Sequence, residues 1–374
     1  MAQSPRAAFA LVFFAVAACD GANFIGLGNQ ADDDQGVQCV VSTTEILDGG
    51  PGKDGIPALT EPIMVTPDDP GAAWIDPDDR VIGIVQDGRA IAIPHRLGWG
   101  HEIVNISHPS VIAVTYCPLT GSSLAFDRSV VDGDEYGVSG LLFRTNLILY
   151  NRSRQESLWS QMGRSGICGP EAGTPLPMVA AFDMNWEGWR SLYPETLVPA
   201  HLIERGQLFG LYRYPYGDYE ESDAIIFPFP SLDTRRPIKE RVLGVPGGEA
   251  SVPGLSEGSI GRAIAFPFSE LERMGPVTAA QADLDGRPLV VFWKTEWQGG
   301  GAFVRELDGQ SLNFLVRDGQ ILDEETESRW RVDGRAESGP LAGQQLAPVA
   351  DAYVAFWFAW AEFNRETEIW TAGR

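Results

Sequence analysis

Two stretches hold the residues best suited to chemistry. One is Trp99-Gly100-His101-Glu102-Ile103-Val104-Asn105, and the other is Val114-Thr115-Tyr116-Cys117-Pro118-Leu119-Thr120-Gly121. Together they supply an imidazole, a carboxylate and a thiol. His101 and Cys117 suit a soft or borderline metal, copper or zinc, with Glu102 as a third donor. His95 and His108 are additional donors. The same imidazole and thiol could also form a nucleophile pair, with Cys117 attacking and His101 as base. Asn105, Ser139, Trp159 and Gln161 would then shape a substrate pocket. Neither reading rests on a standard signature. Thr120 stands where a C-x-x-C needs its second cysteine, and Asn105 where an H-E-x-x-H needs its second histidine. The plainer alternative makes His101 a hydrogen-bonded histidine at a sheet end and Cys117 a buried apolar thiol.

Other chemistries find less support. Ser122, Ser123, Ser139 and Ser160 have no nucleophile elbow around them. Gly137-Val138-Ser139-Gly140 lacks the spacing and the lysine of a phosphate loop. Glu220-Glu221 and residues 76–79 read as solvated loop charge. The net charge of −23 repels phosphate backbones, so nucleic acid is excluded as a partner.

The elements that must position these residues are mostly strands. Val111 to Tyr116 is a β-branched apolar run that predicts a buried strand delivering Cys117 at its end. Val81 to Val85 and Ala90 to Ile93 flank Asp87-Gly88, a hairpin signal because a type I′ turn needs positive φ at both central residues. Asp-Gly recurs at 132–133, 285–286, 308–309, 318–319 and 333–334. Leu147 to Tyr150 reads as another strand. Helices are predicted over Asp183 to Tyr193 and Tyr353 to Phe363, where Trp-x-x-Trp puts two rings on one face. That face is expected to pack on a sheet. The fold class is mainly β, with few short helices.

The chain also repeats itself in order. Gly88-Arg89-Ala90-Ile91-Ala92-Ile93-Pro94 returns as Gly261-Arg262-Ala263-Ile264-Ala265-Phe266-Pro267. Glu156-Ser157-Leu158-Trp159 returns as Glu327-Ser328-Arg329-Trp330, and Trp186 with Trp189 as Trp357 with Trp360. Two related β-rich units from an internal duplication are the expectation. The first is 53–240, including an aromatic, proline-rich connector from Leu208 to Arg236, and the second is 241–374. The repeat is an internal control, since residues needed for the fold alone should recur in both copies. His95 aligns with Phe268, His101 with Met274, Cys168 with Ser338, and Cys117 falls near Lys294 or Thr295. A functional site confined to the first copy is the reading.

The N-terminus reads as an address. Residues 1–18 have signal-peptide character, with Arg6 before an apolar run. Val16-Ala17-Ala18-Cys19 resembles a lipobox, which makes Cys19 the lipidated residue. Residues 19–52 then form a polar tether. The expected location is the bacterial cell envelope, exported and membrane-anchored through lipid on the periplasmic side. Of the remaining cysteines, Cys39, Cys117 and Cys168, either two pair and one stays free or all three are unpaired; the pairing is open.

Five motifs carry a resemblance that runs from about Asp54 to Trp370. They are Lys53-Asp54-Gly55-Ile56-Pro57-Ala58-Leu59, His101-Glu102-Ile103-Val104-Asn105, Thr115-Tyr116-Cys117-Pro118-Leu119-Thr120-Gly121, Val138-Ser139-Gly140-Leu141-Leu142 and Ser157-Leu158-Trp159-Ser160-Gln161. The chain resembles the bacterial family catalogued as domain of unknown function 3179. The resemblance implies no particular activity. Members often carry a second cysteine three after the first, where this chain has Thr120. His95 lies outside the family's motif positions and ranks below His101. Three functions follow: a metal-binding or redox module, a cysteine–histidine enzyme, or a structural or partner-binding envelope protein.

Overall fold

The computed structural model describes residues 37–108, 110–153, 155–201, 213–247 and 261–373. The leader, Cys19 and most of the tether lie outside the described residues. Among the described residues, no helix is long and apolar enough to cross a membrane.

The same succession of elements occurs twice. In the first half, β1 (Arg80–Gln86) and β2 (Arg89–Pro94) form a hairpin that runs into α1 (His95–His101). A meander follows: β3 (Ile103–Ile106), β4 (Ile112–Cys117) and β5 (Ser122–Asp127). Later come β6 (Ala181–Asn185) and α2 (Trp186–Leu192). In the second half, β7 (Arg241–Gly247) and β8 (Gly261–Pro267) lead into α3 (Phe268–Arg273). The second meander is β9 (Val277–Leu284), β10 (Arg287–Lys294) and β11 (Gly299–Val304), with β12 (Tyr353–Phe356) and α4 (Trp357–Phe363) last. The fold is mainly β, as expected.

The halves exchange their meanders. One sheet runs β9-β10-β11-β6-β1-β2, and the other holds β3-β4-β5-β12-β7-β8, with Leu59–Thr60 and Glu368–Ile369 at its edges. The segments 53–240 and 241–374 therefore share both large sheets. The junctions correspond: Asp183 of β6 faces Gly300 of β11, and Val354 of β12 faces Ser123 of β5.

Hydrophobic packing then brings each hairpin back onto the meander of its own half, across the space between the sheets. Ile82, Ile84, Ile91 and Ile93 pack with Val104, Ile106, Ile112 and Val114. Leu243, Val245, Ile264 and Phe266 pack with Ala280, Leu289, Val291 and Trp293. This is face-to-face sheet packing with two equivalent cores.

The helices explain the repeated tryptophans. Trp189 and Trp360 are fully buried, and each indole N–H donates to a threonine 2.9 Å away, Thr196 and Thr367. Each ring lies on a strand glycine. A Cβ at Gly83 would stand 2.3 Å from the Trp189 ring, and one at Gly244 2.2 Å from Trp360. Removing roughly 150–250 Å² per ring from water is worth about 4–6 kcal/mol. The helices are shorter than predicted: the chain stays extended through Asn185 and Phe356, because those residues are sheet strands. Asn185 then caps α2 by accepting the Gly188 N–H at 2.9 Å.

A five-stranded sheet of Ile46–Asp48, Tyr136–Phe143, Asn146–Asn151, Leu158–Ser160 and Ser165–Cys168 completes the first half. Phe314–Arg317, Gln320–Asp323, Arg329–Trp330 and Ala336–Ser338 form a four-stranded counterpart in the second. The N-terminal segment closes on the five-stranded sheet from both edges. Ile46–Asp48 pairs beside Tyr136–Phe143, while Cys39 pairs with Cys168 at the opposite edge and is joined to it by a disulfide. Cys117 is the free thiol among the described residues.

Candidate functional site

Strand β4 carries Cys117 to its C-terminal end, as its apolar run predicts. The thiol is buried there against the hydroxyl and backbone of Thr120 and the backbone of Leu147. Burial, and then the neighbouring Glu102 carboxylate, push it up to about 11. At neutral pH it is a thiol rather than a thiolate, and so a poor nucleophile and a poor ligand.

Glu102 caps α1 with φ 55°, a region costly for a residue with a side chain. Its carboxyl is 7% exposed, takes part in no hydrogen bond among the described residues, and is raised by burial to about 8. The structure therefore brings Glu102 and Cys117 together.

Among the described residues, no hydrogen bond joins the His101 ring to either. The His101 Nδ1 lies 2.8 Å from the Pro57 carbonyl oxygen, and burial lowers the ring's affinity for a proton. Among the described residues, no group of three or more His, Cys, Asp or Glu side chains is placed to hold a metal ion. The expected copper or zinc site at His101, Cys117 and Glu102 therefore gains no support.

The four residues expected to line a pocket are buried connectors instead. Asn105 imitates a strand: its Nδ2 donates to the Tyr136 carbonyl at 2.9 Å and its Oδ1 accepts the Tyr136 N–H at 3.0 Å. Ser139 donates to the Ile148 carbonyl at 2.6 Å, next to a bulge between Leu147 and Leu149. Trp159 donates to Asn151 Oδ1 at 3.1 Å. Gln161 is the hub of a closed network. Its Oε1 accepts from Ser122 and Asn146 at 2.6 and 2.7 Å, and its Nε2 donates to Thr115 at 2.8 Å. Asn146 also donates to Thr120 at 3.0 Å. A cavity of about 630 Å³ opens beside Asp134, Asn151 and Glu171, and none of the expected site residues lines it.

A second buried cluster centres on Asp183, which sequence reading passed over. Its Oδ1 accepts from Arg80 Nε at 2.9 Å, with a second, shorter bond from the same guanidinium. Its Oδ2 lies 3.0 Å from His95 Nε2 and accepts from Ser123 Oγ at 2.5 Å. Burial alone would raise the carboxyl, but Arg80, then His95 and the hydrogen bonds, hold it well below the usual carboxylate range. Ser123 Oγ is also 3.2 Å from His95 Nε2. A catalytic triad needs the acid and the serine on opposite nitrogens of the ring. Here both meet Nε2 and the hydroxyl proton goes to Asp183, so the cluster is a closed triangle and Ser123 is not an activated nucleophile.

The second half shows what replaces this cluster. Opposite Gly300 and Ser123 stand Asp183 and Val354, as the junctions set out. The His95 ring packs on Tyr116 at 4.2 Å and the Phe268 ring on Trp293 at 4.3 Å. Phe268, Val354 and Gly300 thus hold the places of His95, Asp183 and Ser123. The sequence carried this signal. The repeat offset of 171 that links Trp186 to Trp357 also links Asp183 to Val354, a carboxylate to an apolar side chain.

The pattern of the family described as "Protein of unknown function (DUF3179)" matches residues 53–367. No curated protein and no solved structure matches the chain.

Proposed function

The chain belongs to the DUF3179 family, and we propose that it is an exported domain, tethered to a membrane by lipid on Cys19, that works by binding a partner rather than by thiol or metal chemistry. The observation that carries this reading is the state of Cys117, a thiol sealed in the core and pushed up to about 11. The other motif side chains support it, because Asn105, Ser139, Trp159 and Gln161 have their hydrogen bonds inside the fold. The Cys39–Cys168 disulfide supports export, since such bonds persist in oxidising compartments. The lipobox-like Val16-Ala17-Ala18-Cys19 supports the tether.

The test is made in a bacterial host fed labelled palmitate. The full chain is expected to take up label and sediment with membranes, and Cys19→Ala to do neither. In the native protein Cys117 is expected to resist a thiol reagent until unfolding. Rapid native labelling of Cys117, or an unlabelled wild type, would overturn the reading.

A further inference from the structure

The connector between the halves lies over the Cys117 end of the β3-β4-β5 meander. Residues 213–224 carry Tyr214, Tyr216 and Tyr219 followed by Glu220, Glu221 and Asp223. Among the described residues, their backbone-to-backbone hydrogen bonds, such as Tyr219 N–H to Tyr216 and Glu221 N–H to Asp218, stay within the segment. The contacts that fasten it to the other described residues run through side chains. The Tyr214 hydroxyl donates to the Pro118 carbonyl at 3.0 Å and the Tyr219 hydroxyl to the Leu119 carbonyl at 2.9 Å. The Glu220 carboxylate accepts from Tyr116 at 3.3 Å and pairs with Arg241 at 2.9 Å. Lys239 donates to the Ser222 carbonyl at 2.6 Å and sits over the Tyr219 ring. A segment held without ladder hydrogen bonds opens at low cost.

The face under this segment is not fully satisfied by it. Arg241 Nε and Trp99 Nε1 are buried donors without an acceptor, although Arg241 holds Glu220 and Trp99 packs against Tyr214. Buried donors left open are uncommon in native proteins. A ligand rich in acceptors would fill them. Deeper in lies the unpartnered Glu102 carboxyl beside Cys117, and both act electrostatically on the Tyr216 phenol above.

We propose that residues 213–224 form a detachable strap, and that the face beneath it, built by Trp99, Tyr116, Arg241 and the Pro118 and Leu119 carbonyls, docks an acidic, tyrosine-bearing segment of a partner protein. The strap is the resident stand-in for that segment. It shows the chemistry the face accepts: a carboxylate on Arg241 and Tyr116, and phenol hydroxyls on two carbonyls. This rests on the reading of the protein as a binding domain and names the site and the class of partner.

Cys117 reports on the strap from within. The experiment uses the oxidised full chain with Cys19→Ala, so that Cys117 is the one free thiol, and follows its labelling at neutral pH. Lys239→Ala removes the clamp and leaves the docking face intact; Tyr219→Phe with Glu220→Gln loosens the strap independently. Each is expected to speed labelling about tenfold or more, as loss of a charge-assisted bond would, with the melting temperature unchanged. A peptide of residues 213–224 added in trans is expected to slow it again, and a scrambled peptide to do nothing. Unchanged labelling in both variants, labelling that only follows global unfolding, or no protection by the peptide would each overturn the proposal. Fast labelling of Cys117 beneath the unaltered strap would instead strike at the function proposed above.

Discussion

Asp183 and Val354 hold equivalent places at the two junctions where the halves exchange strands, the one facing Gly300 and the other Ser123. One junction therefore carries a buried carboxylate paired with Arg80 where the other carries a valine. A buried ionic cluster is a weak source of stability but can specify pairing, because its parts are costly when mismatched. Here it distinguishes two junctions of otherwise similar geometry.

That distinction can be measured. Asp183→Val strands the Arg80 guanidinium and is expected to cost about 3–5 kcal/mol, as breaking a buried pair does. Adding His95→Phe and Ser123→Gly installs the residues of the other half and is expected to recover part of the loss, despite two more changes. Denaturant midpoints of the single and triple variants check this. A triple variant weaker than the single one would count against the equivalence of the junctions.

Two carboxyls give opposite pH responses. Asp183 is held below its unfolded value, so its contribution is present above about pH 4 and is lost as pH falls through the folded value. Glu102 is raised from its ordinary 4.5 to about 8, so the folded state holds its proton across that window and stability declines as pH climbs through it. The slope is on the order of 1 kcal/mol per pH unit. Glu102→Gln should flatten it, raising the melting temperature at pH 8 more than at pH 5. A melting profile parallel to the wild type's would refute the assignment.

The disulfide closes a separation of 129 residues. Chain-entropy reasoning gives about 5 kcal/mol for such a loop, and native disulfides typically contribute about 2–5 kcal/mol. Reduction should lower the melting temperature and release two thiols while Cys117 stays protected. Mass spectrometry after labelling, with and without reductant, counts them; three reactive thiols in the folded, reduced protein would contradict the burial of Cys117.

Gly83→Ala and Gly244→Ala each drive a methyl into a tryptophan ring. Overpacking of this kind costs about 1–3 kcal/mol, occasionally more. Both should destabilise by similar amounts. A loss at one glycine with none at the other would show that the two helices are not seated alike.

Local structure was legible in the chain. Of the eight Asp-Gly pairs among the described residues, five have positive φ at both residues, as the turn chemistry requires; Asp54-Gly55 has it only at the aspartate, Asp333-Gly334 only at the glycine, and Asp48-Gly49 at neither. The strand that delivers Cys117, the paired tryptophans and the β class also follow from pattern. What escaped was long-range. His101 and Cys117 are near in sequence and belong to family motifs, so they drew attention over His95. Yet His95 meets Asp183 from 88 residues away, across a sheet order that no periodicity records. Asp183 fell in a segment read as helix for its tryptophans. Comparing the two halves position by position would have exposed it, because polar residues facing apolar counterparts are visible without any fold.

The exchange of meanders also governs when this chain can fold. β12 comes late in the chain, with only Glu368–Ile369 after it among the described strands, yet it lies in the interior of its sheet, between β5 and β7. One edge of β5 pairs with β4 of the same half, but its other edge lacks a neighbour until almost all of the second half has been made. Completion of this sheet therefore waits on a late segment of the chain, and its central pairing is of long sequence separation.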